Sequence, residues 1–301
     1  MEILSFDFMQ RALLAGLIVA ISCPLIGVFL VVRRQSMIGD GLGHIAFAGV
    51  VAGWILGYKP VASAALFTTL GALAIERVRS LKAEFSEMIL AIFFYAGMGI
   101  AVVLSSLPQA GGFNLSSFLF GSIMTVSSED LYWVAGLGLL NLLFVLLMYR
   151  PLVYVSFDES SARVSGMPVN RLNLLLSILT ALNVAIAMRV VGILLVSALL
   201  VIPVACALQI ARSFSRTMLW ATVYSLLGVL LGLTASYYWD LAPGGMIVLL
   251  LVAAFFITTL CANVFQKNTL LLQSGSAECA CGFHHVECDG DCSKAECEDK
   301  P

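Results

Sequence analysis

The sequence predicts an all-α fold: a polytopic transmembrane helical bundle of about eight to nine spans, one short amphipathic helix between spans, and a Cys/His-rich tail. Three observations predict it. Of 301 residues, 60% are hydrophobic and 11% charged, whereas soluble domains carry about 25% charged and 45–50% apolar residues. The mean hydropathy of +1.00 corresponds to more apolar surface than a water-soluble core of this length can bury. Apolar stretches near the length needed to cross a bilayer recur nine times, with cations gathered at alternate connections. The net charge of −2 offers no field that would attract nucleic acid.

Taken in order, the expected spans are residues 12–32, 37–57, 60–76, 87–107, 130–149, 172–188, 190–210, 217–237 and 244–264. The first is too long for a cleaved signal, contains Pro24 and runs into Arg33 and Arg34 without a small-residue cleavage site. Placing the connections with Arg33/Arg34, Arg77/Arg79/Lys82, Arg150/Arg163/Arg171, Arg212/Arg216 and Lys267 in the cytosol puts 11 of 14 cations there. Only Arg11, Lys59 and Arg189 fall outside. The N-terminus is then extracytoplasmic and the tail cytosolic. Residues 113–126, Gly121 included, are apolar but only 14 long, which fits a re-entrant or interfacial piece. Small residues at close intervals, Ala15, Gly16, Ala20, Ser22 and Gly228, Gly232, Ala235, Ser236, read as helix-packing surfaces in lipid.

An ionisable side chain in a span costs at least about 2.5–3.5 kcal/mol, which makes it a functional candidate. Asp40 and His44 are the clearest. In Gly39-Asp40-Gly41-Leu42-Gly43-His44 they are spaced i, i+4, so on a helix they face one direction. A carboxylate and an imidazole converging there suit a divalent first-row transition metal. Three adjacent glycines allow close backbone approach. The competing reading is structural: Asp40 caps the helix and His44 bonds to it. Asp240, beside the Pro243-Gly244-Gly245 turn, reads as a loop or cap residue with an outer gate as the alternative. Glu76 reads as part of a solvated cluster with Arg77, Arg79 or Lys82, and Pro203 as a kink.

The longest basic connection, Arg150 to Arg171, contains Ser156-Phe157-Asp158-Glu159-Ser160-Ser161-Ala162-Arg163-Val164-Ser165-Gly166-Met167-Pro168. Asp158 and Glu159 complement a helix dipole, and Gly166 then Pro168 end the helix. These residues carry a resemblance. Asp158-Glu159-x-x-Ala162-x-x-x-Gly166 resembles the coupling helix of binding-protein-dependent ABC importers. The stretches Gly27 to Arg34 leading into Asp40-x-x-x-His44, Arg189 to Pro203, and Ser236-Tyr237-Tyr238-Trp239-Asp240-x-x-Pro243-x-Gly245 resemble the integral-membrane permeases of their zinc, manganese and iron branch. Order and spacing match from about residue 8 to 262.

The resemblance implies a homodimeric permease in a bacterial-type cytoplasmic membrane, two ABC ATPase subunits below it and an extracytoplasmic metal-binding protein above. It implies that Asp40 and His44 contact the passing metal, and that Asp158, Glu159, Ala162 and Gly166 serve ATPase coupling. The permease itself is then no enzyme and holds no cofactor, Zn²⁺ or Mn²⁺ being cargo. The sequence agrees in one respect: it has no Gly-x-x-x-x-Gly-Lys-Ser/Thr to cradle ATP phosphates.

The chain is read as a permease domain, residues 1–267, and an acidic tail, residues 268–301. Its last 24 residues hold 7 acidic and 2 basic side chains. Cys279-x-Cys281-x₂-His284-His285-x₂-Cys288-x₃-Cys292-x₄-Cys297 puts seven soft or borderline ligands within 19 residues. Cytosolic thiols stay reduced and five cysteines cannot all pair, so metal binding is preferred over a disulfide framework or an incidental acidic tail. Thiolates select zinc over manganese, which makes zinc the first choice of cargo, with manganese or iron as the alternative. Two other classes fit less well. An ATP-independent secondary transporter calls for more buried charge. An intramembrane zinc enzyme needs about three protein ligands and the spans offer one histidine.

Overall fold

A computed structural model describes residues 7–58, 60–81, 85–108, 119, 121, 128–239 and 241–280. The helices are α1 (Asp7–Val32), α2 (Ile38–Ile55), α3 (Pro60–Leu81), α4 (Ser86–Ser105), α5 (Ser128–Leu147), α6 (Tyr149–Phe157), α7 (Glu159–Val164), α8 (Val169–Val191), α9 (Ile193–Ile210), α10 (Phe214–Trp239) and α11 (Pro243–Ala280). No strand occurs among the described residues. Among the described residues eight helices are individually long and apolar enough to cross a membrane, or nine if the bent pair α5 and α6 is counted as one span. Lys59, Asp240 and most of residues 113–126 lie outside the described residues. Of that last segment Leu119 packs on the core, and Gly121, at φ +77°, lies against the Val191–Gly192 backbone. By contacts the chain divides into residues 1–259 and 260–301.

Within the first unit α2 and α8 are the most enclosed, 72% of the residues in each apolar stretch being buried, against 22% for α4. Helix α2 packs on α3 and α4, α3 on α8, and α1 on α10, α9 and α5. The small residues read as packing surfaces act as such. A Cβ at Gly16 would press on Val229, one at Gly228 on Leu251, and one at Gly232 on Ile247, and Gly27, which was not among them, is tighter still, its Cβ falling on the Leu200 carbonyl of α9. Helix α9 is assigned unbroken through Pro203.

Two expectations need correction. Residues after Arg150 are not a loop leading to one helix: α6 continues the chain from α5 after a 72° bend. Pro151 explains the bend, because it has no N–H for the Leu147 carbonyl and its ring collides with it. Glu76 is not solvated. It is 8% exposed, bound by Arg79 at 3.0 Å, and accepts the Ser177 hydroxyl of α8 at 3.3 Å.

Candidate functional site

The site begins where α1 ends. Gln35 N–H donates to Leu30 O (2.8 Å) and Arg34 N–H to Val31 O (3.0 Å), with Arg34 at φ 57°. This is the double closure of a helix end with a left-handed residue, normally glycine, at the turn. Ile38 N–H then donates to Gln35 O at 3.0 Å and Gly41 N–H to Met37 O at 3.1 Å. No slack residue separates α1 from α2.

Met37 is the N-cap of α2 and makes no side-chain cap bond, so Asp40 stands in the first turn rather than at the cap. The capping alternative for Asp40 therefore fails. At 1.5 Å per residue Asp40 lies about 3 Å, and His44 about 9 Å, along α2 from Ile38. Both are partly buried. The His44 ring stands edge-on to Phe94 of α4, centroids 4.7 Å apart and planes at 86°. No hydrogen bond or ion pair engages Asp40 among the described residues, so its carboxylate is available to a ligand.

The glycines fix what surrounds the pair. A Cβ at Gly39 would meet Leu200 and approach Ser197, one at Gly43 would meet Ile193, and Gly41 faces Leu90 and Phe94. Thus α2 is wedged between α9 and α4 at the level of the pair. Ser197, 9% exposed, has a hydroxyl beside Gly39 with no hydrogen-bond partner among the described residues. Among the described residues no three His, Cys, Asp or Glu side chains gather to hold a metal. Among the described residues the candidate site therefore holds two metal-type donors, Asp40 and His44, fewer than the four of a closed structural zinc site.

The short helix α7 is built as its sequence suggests. Asp158 is its N-cap, accepting Ser161 N–H at 3.0 Å and the Ser160 hydroxyl at 2.6 Å. These hydroxyl and amide donors hold the exposed carboxyl down at about 2. Glu159 pairs with Arg163 at 2.7 Å. Gly166, φ +76°, closes the end: its N–H donates to Arg163 O and Met167 N–H to Ala162 O, both 3.1 Å. Ala162 is fully buried against Val155, Val169 and Leu172, a small cluster separate from the main core. Beside it Arg163, Met167, Pro168, Val169, Asn170 and Arg171 line an open cleft of about 400 Å³.

Sequence reading missed a polar stripe on α8. Asn173, Ser177, Thr180 and Asn183 are at most 5% exposed and recur at helical spacing. Asn173 accepts from Arg33 at 2.6 Å, Ser177 donates to Glu76, and Asn183 accepts from Ser22 of α1 at 3.4 Å. The signal was available as polar residues spaced four, three and three apart within a span, the one-face helical spacing to which the i, i+4 pair Asp40 and His44 also belongs. Of the tail ligands, Cys279 lies within α11, while Cys281, His284, His285, Cys288, Cys292 and Cys297 lie outside the described residues.

Known proteins resemble this chain over nearly the whole membrane part. The profile of a family described as the ABC 3 transport family matches residues 5–262. The manganese transport system membrane protein MntC of Halalkalibacterium halodurans is 32% identical, over 85% of this chain and 89% of its own. The manganese import system permease protein ScaB of Streptococcus parasanguinis is 31% identical, over 89% and 96%. A chain in the solved structure of PsaBC from Streptococcus pneumoniae in complex with Fab superposes with a TM-score of 0.76 at 30% identity, covering 85% of this chain and 92% of that one.

Proposed function

The chain belongs to the ABC 3 transport family and is a multi-pass protein of the cytoplasmic membrane; from that premise we propose that it is the permease of an ATP-driven importer for a divalent transition metal, zinc first. The observation that carries this reading is the Asp40–His44 pair. One oxygen and one nitrogen donor share a helix face, and among the described residues the carboxylate has no hydrogen-bond or ion-pair partner and no third His, Cys, Asp or Glu joins the pair. A structural metal is held by a closed set of about four protein ligands, and a catalytic one by about three, whereas cargo must leave. Water and the same pair from a second permease copy would complete the coordination in turn.

Energy enters at α7. Its cap, its glycine closure and the cleft beside it form a rigid projection to which a separate ATPase subunit would dock, Asp158, Glu159, Ala162 and Gly166 setting its shape. An extracytoplasmic metal-binding protein would deliver the ion. Zinc is favoured over other cargo by the tail, where thiolates of Cys279, Cys281, Cys288, Cys292 and Cys297 with His284 and His285 would accept zinc but serve manganese poorly. The relatives named for manganese favour a second reading, manganese import, to which a carboxylate–imidazole pair is equally open.

The test is metal-stimulated ATP hydrolysis and uptake by the reconstituted permease, ATPase and binding protein, with Zn²⁺, Mn²⁺ and Fe²⁺ compared. Asp40→Ala and His44→Ala should each lower uptake of the cargo metal by about tenfold or more, the order of effect that loss of a metal-site group produces. Unchanged uptake in both variants would remove the pair from the pathway, and preference for Mn²⁺ over Zn²⁺ would decide for the second reading.

A further inference from the structure

Arg33, just past the end of α1, turns into the protein instead of reaching for water as a topology-setting cation does. Its Nε donates to Ser156 Oγ at 2.9 Å and its Nη1 to Asn173 Oδ1 at 2.6 Å. Its Nη2 is buried with no partner among the described residues. The Ser156 hydroxyl donates to Leu152 O at 2.6 Å, which leaves its oxygen aimed as an acceptor. Ser156 belongs to α6, two residues before the Asp158 cap of α7, and Asn173 lies one turn into α8. One guanidinium therefore ties together the end of α1, the corner leading to α7, and the start of α8.

On its other side Arg33 is joined to the metal-site candidates by backbone without slack. The closed turn at Arg34 and the bonds through Gln35 and Met37 carry its position into the first turn of α2, where Asp40 stands. We propose, on the importer reading above, that Arg33 is a positioning residue that passes displacement of the α6–α7 corner to Asp40 and His44. The link is contiguous, and coupling between sites requires that it have a second arrangement. The free Nη2 is where that arrangement would form. Glu159, at the start of α7, is the charge that acts most strongly on Arg33, and it is now held by Arg163 on a surface where both side chains are about half exposed. A shift of α7 that parts Glu159 from Arg163 would offer its carboxylate to Nη2. The neighbouring Glu76 is already bound by Arg79 and Ser177.

The experiment reconstitutes the permease with its ATPase subunits and binding protein in vesicles and measures Zn²⁺ uptake, with Mn²⁺ in parallel, against ATP hydrolysis in the same preparation. Arg33→Ala should cut metal moved per ATP at least about tenfold, an effect of the size seen for coupling between sites, while assembly and hydrolysis stay within about twofold of the parent. Arg33→Lys, which keeps the charge but makes only one of the two bonds, should recover part of the ratio. The Ser156→Ala/Asn173→Ala double variant should reproduce the loss with Arg33 in place, and it carries the test if Arg33→Ala does not assemble. A merely structural role would lower assembly and hydrolysis together and leave the ratio unchanged. An unchanged ratio in an assembled Arg33→Ala or double variant overturns the assignment while the importer reading stands. Parent vesicles whose uptake ignores ATP would overturn the importer reading itself, and the coupling with it.

Discussion

Arg34 occupies a backbone conformation that only glycine adopts freely. At φ 57° it closes α1 with two bonds that glycine could make without steric cost. Arg34→Gly should therefore leave the turn intact and raise stability by up to about 1 kcal/mol through relief of that strain, set against the wider unfolded ensemble of glycine. Thermal unfolding in detergent would show it, and a fall in the midpoint would mean that relief of strain at Arg34 is outweighed by the wider unfolded ensemble of glycine or by lost side-chain contacts. Asp158 shows the opposite economy. It is an exposed carboxylate held at about 2 by donors from Ser160 and Ser161. Because its folded value lies below the ordinary one near 4, its stabilising contribution is present above that ordinary value and is lost as pH falls through about 2. Across physiological pH the cap is constant. Asp158→Ala should fray α7 and lower ATPase coupling severalfold, while Asp158→Asn, which keeps an acceptor, should lose less. Equal losses in both would assign the effect to charge rather than to capping.

At the scale of elements, the bundle depends on a few contacts without tolerance. Gly27 of α1 lies directly on the Leu200 carbonyl of α9, so even one methyl group must push the helices apart. Gly27→Ala should destabilise by about 1–3 kcal/mol, the usual cost of overpacking. Gly136, whose Cβ would meet nothing within 4 Å, should tolerate the same change on α5. Comparable unfolding midpoints for the two variants would contradict the close approach. Most helix ends agree with the sequence-based spans because hydropathy and cations mark where lipid stops. The bend between α5 and α6 was legible in principle, since Pro151 follows the end of an apolar run. Hydropathy says only that a span ends there. Whether the next residues form loop or helix is decided by packing, and Leu152 and Val155 bury one side of α6.

For the whole molecule, the chain reads as a permease followed by an acidic, thiol-rich extension. Deleting residues 278–301, which lie outside the family match to residues 5–262, should leave metal uptake within about twofold but should alter its response to cytosolic zinc. Loss of uptake altogether would count against a sensing or acceptor role. The end of α1 at Arg33 and the last turns of α3, where Glu76 is held by Arg79, bond to Asn173 and Ser177 of α8 at one end of the bundle, the arrangement that the charge pattern leads one to expect of cytoplasmic connections.

The division between what was and was not readable in the chain follows from range. Span count, the Asp40–His44 spacing and the caps of α7 depend on residues within a turn or two of each other, and each was legible locally. Glu76 was read as solvated and Arg33 as a topology signal, because their surroundings come from Ser177, Asn173 and Ser156, between 101 and 140 residues away in sequence. Burial of a charge depends on which helix lies against it, and neighbours in a bundle are chosen by packing over the whole surface of each helix. The sequence by itself determined a membrane-spanning helical permease with two metal-ligand types on one helix face. Only the tertiary structure decided that Asp40 is uncommitted to a cap, that no third His, Cys, Asp or Glu joins Asp40 and His44 among the described residues, and that a partly buried arginine at the end of α1 bonds to both α6 and α8.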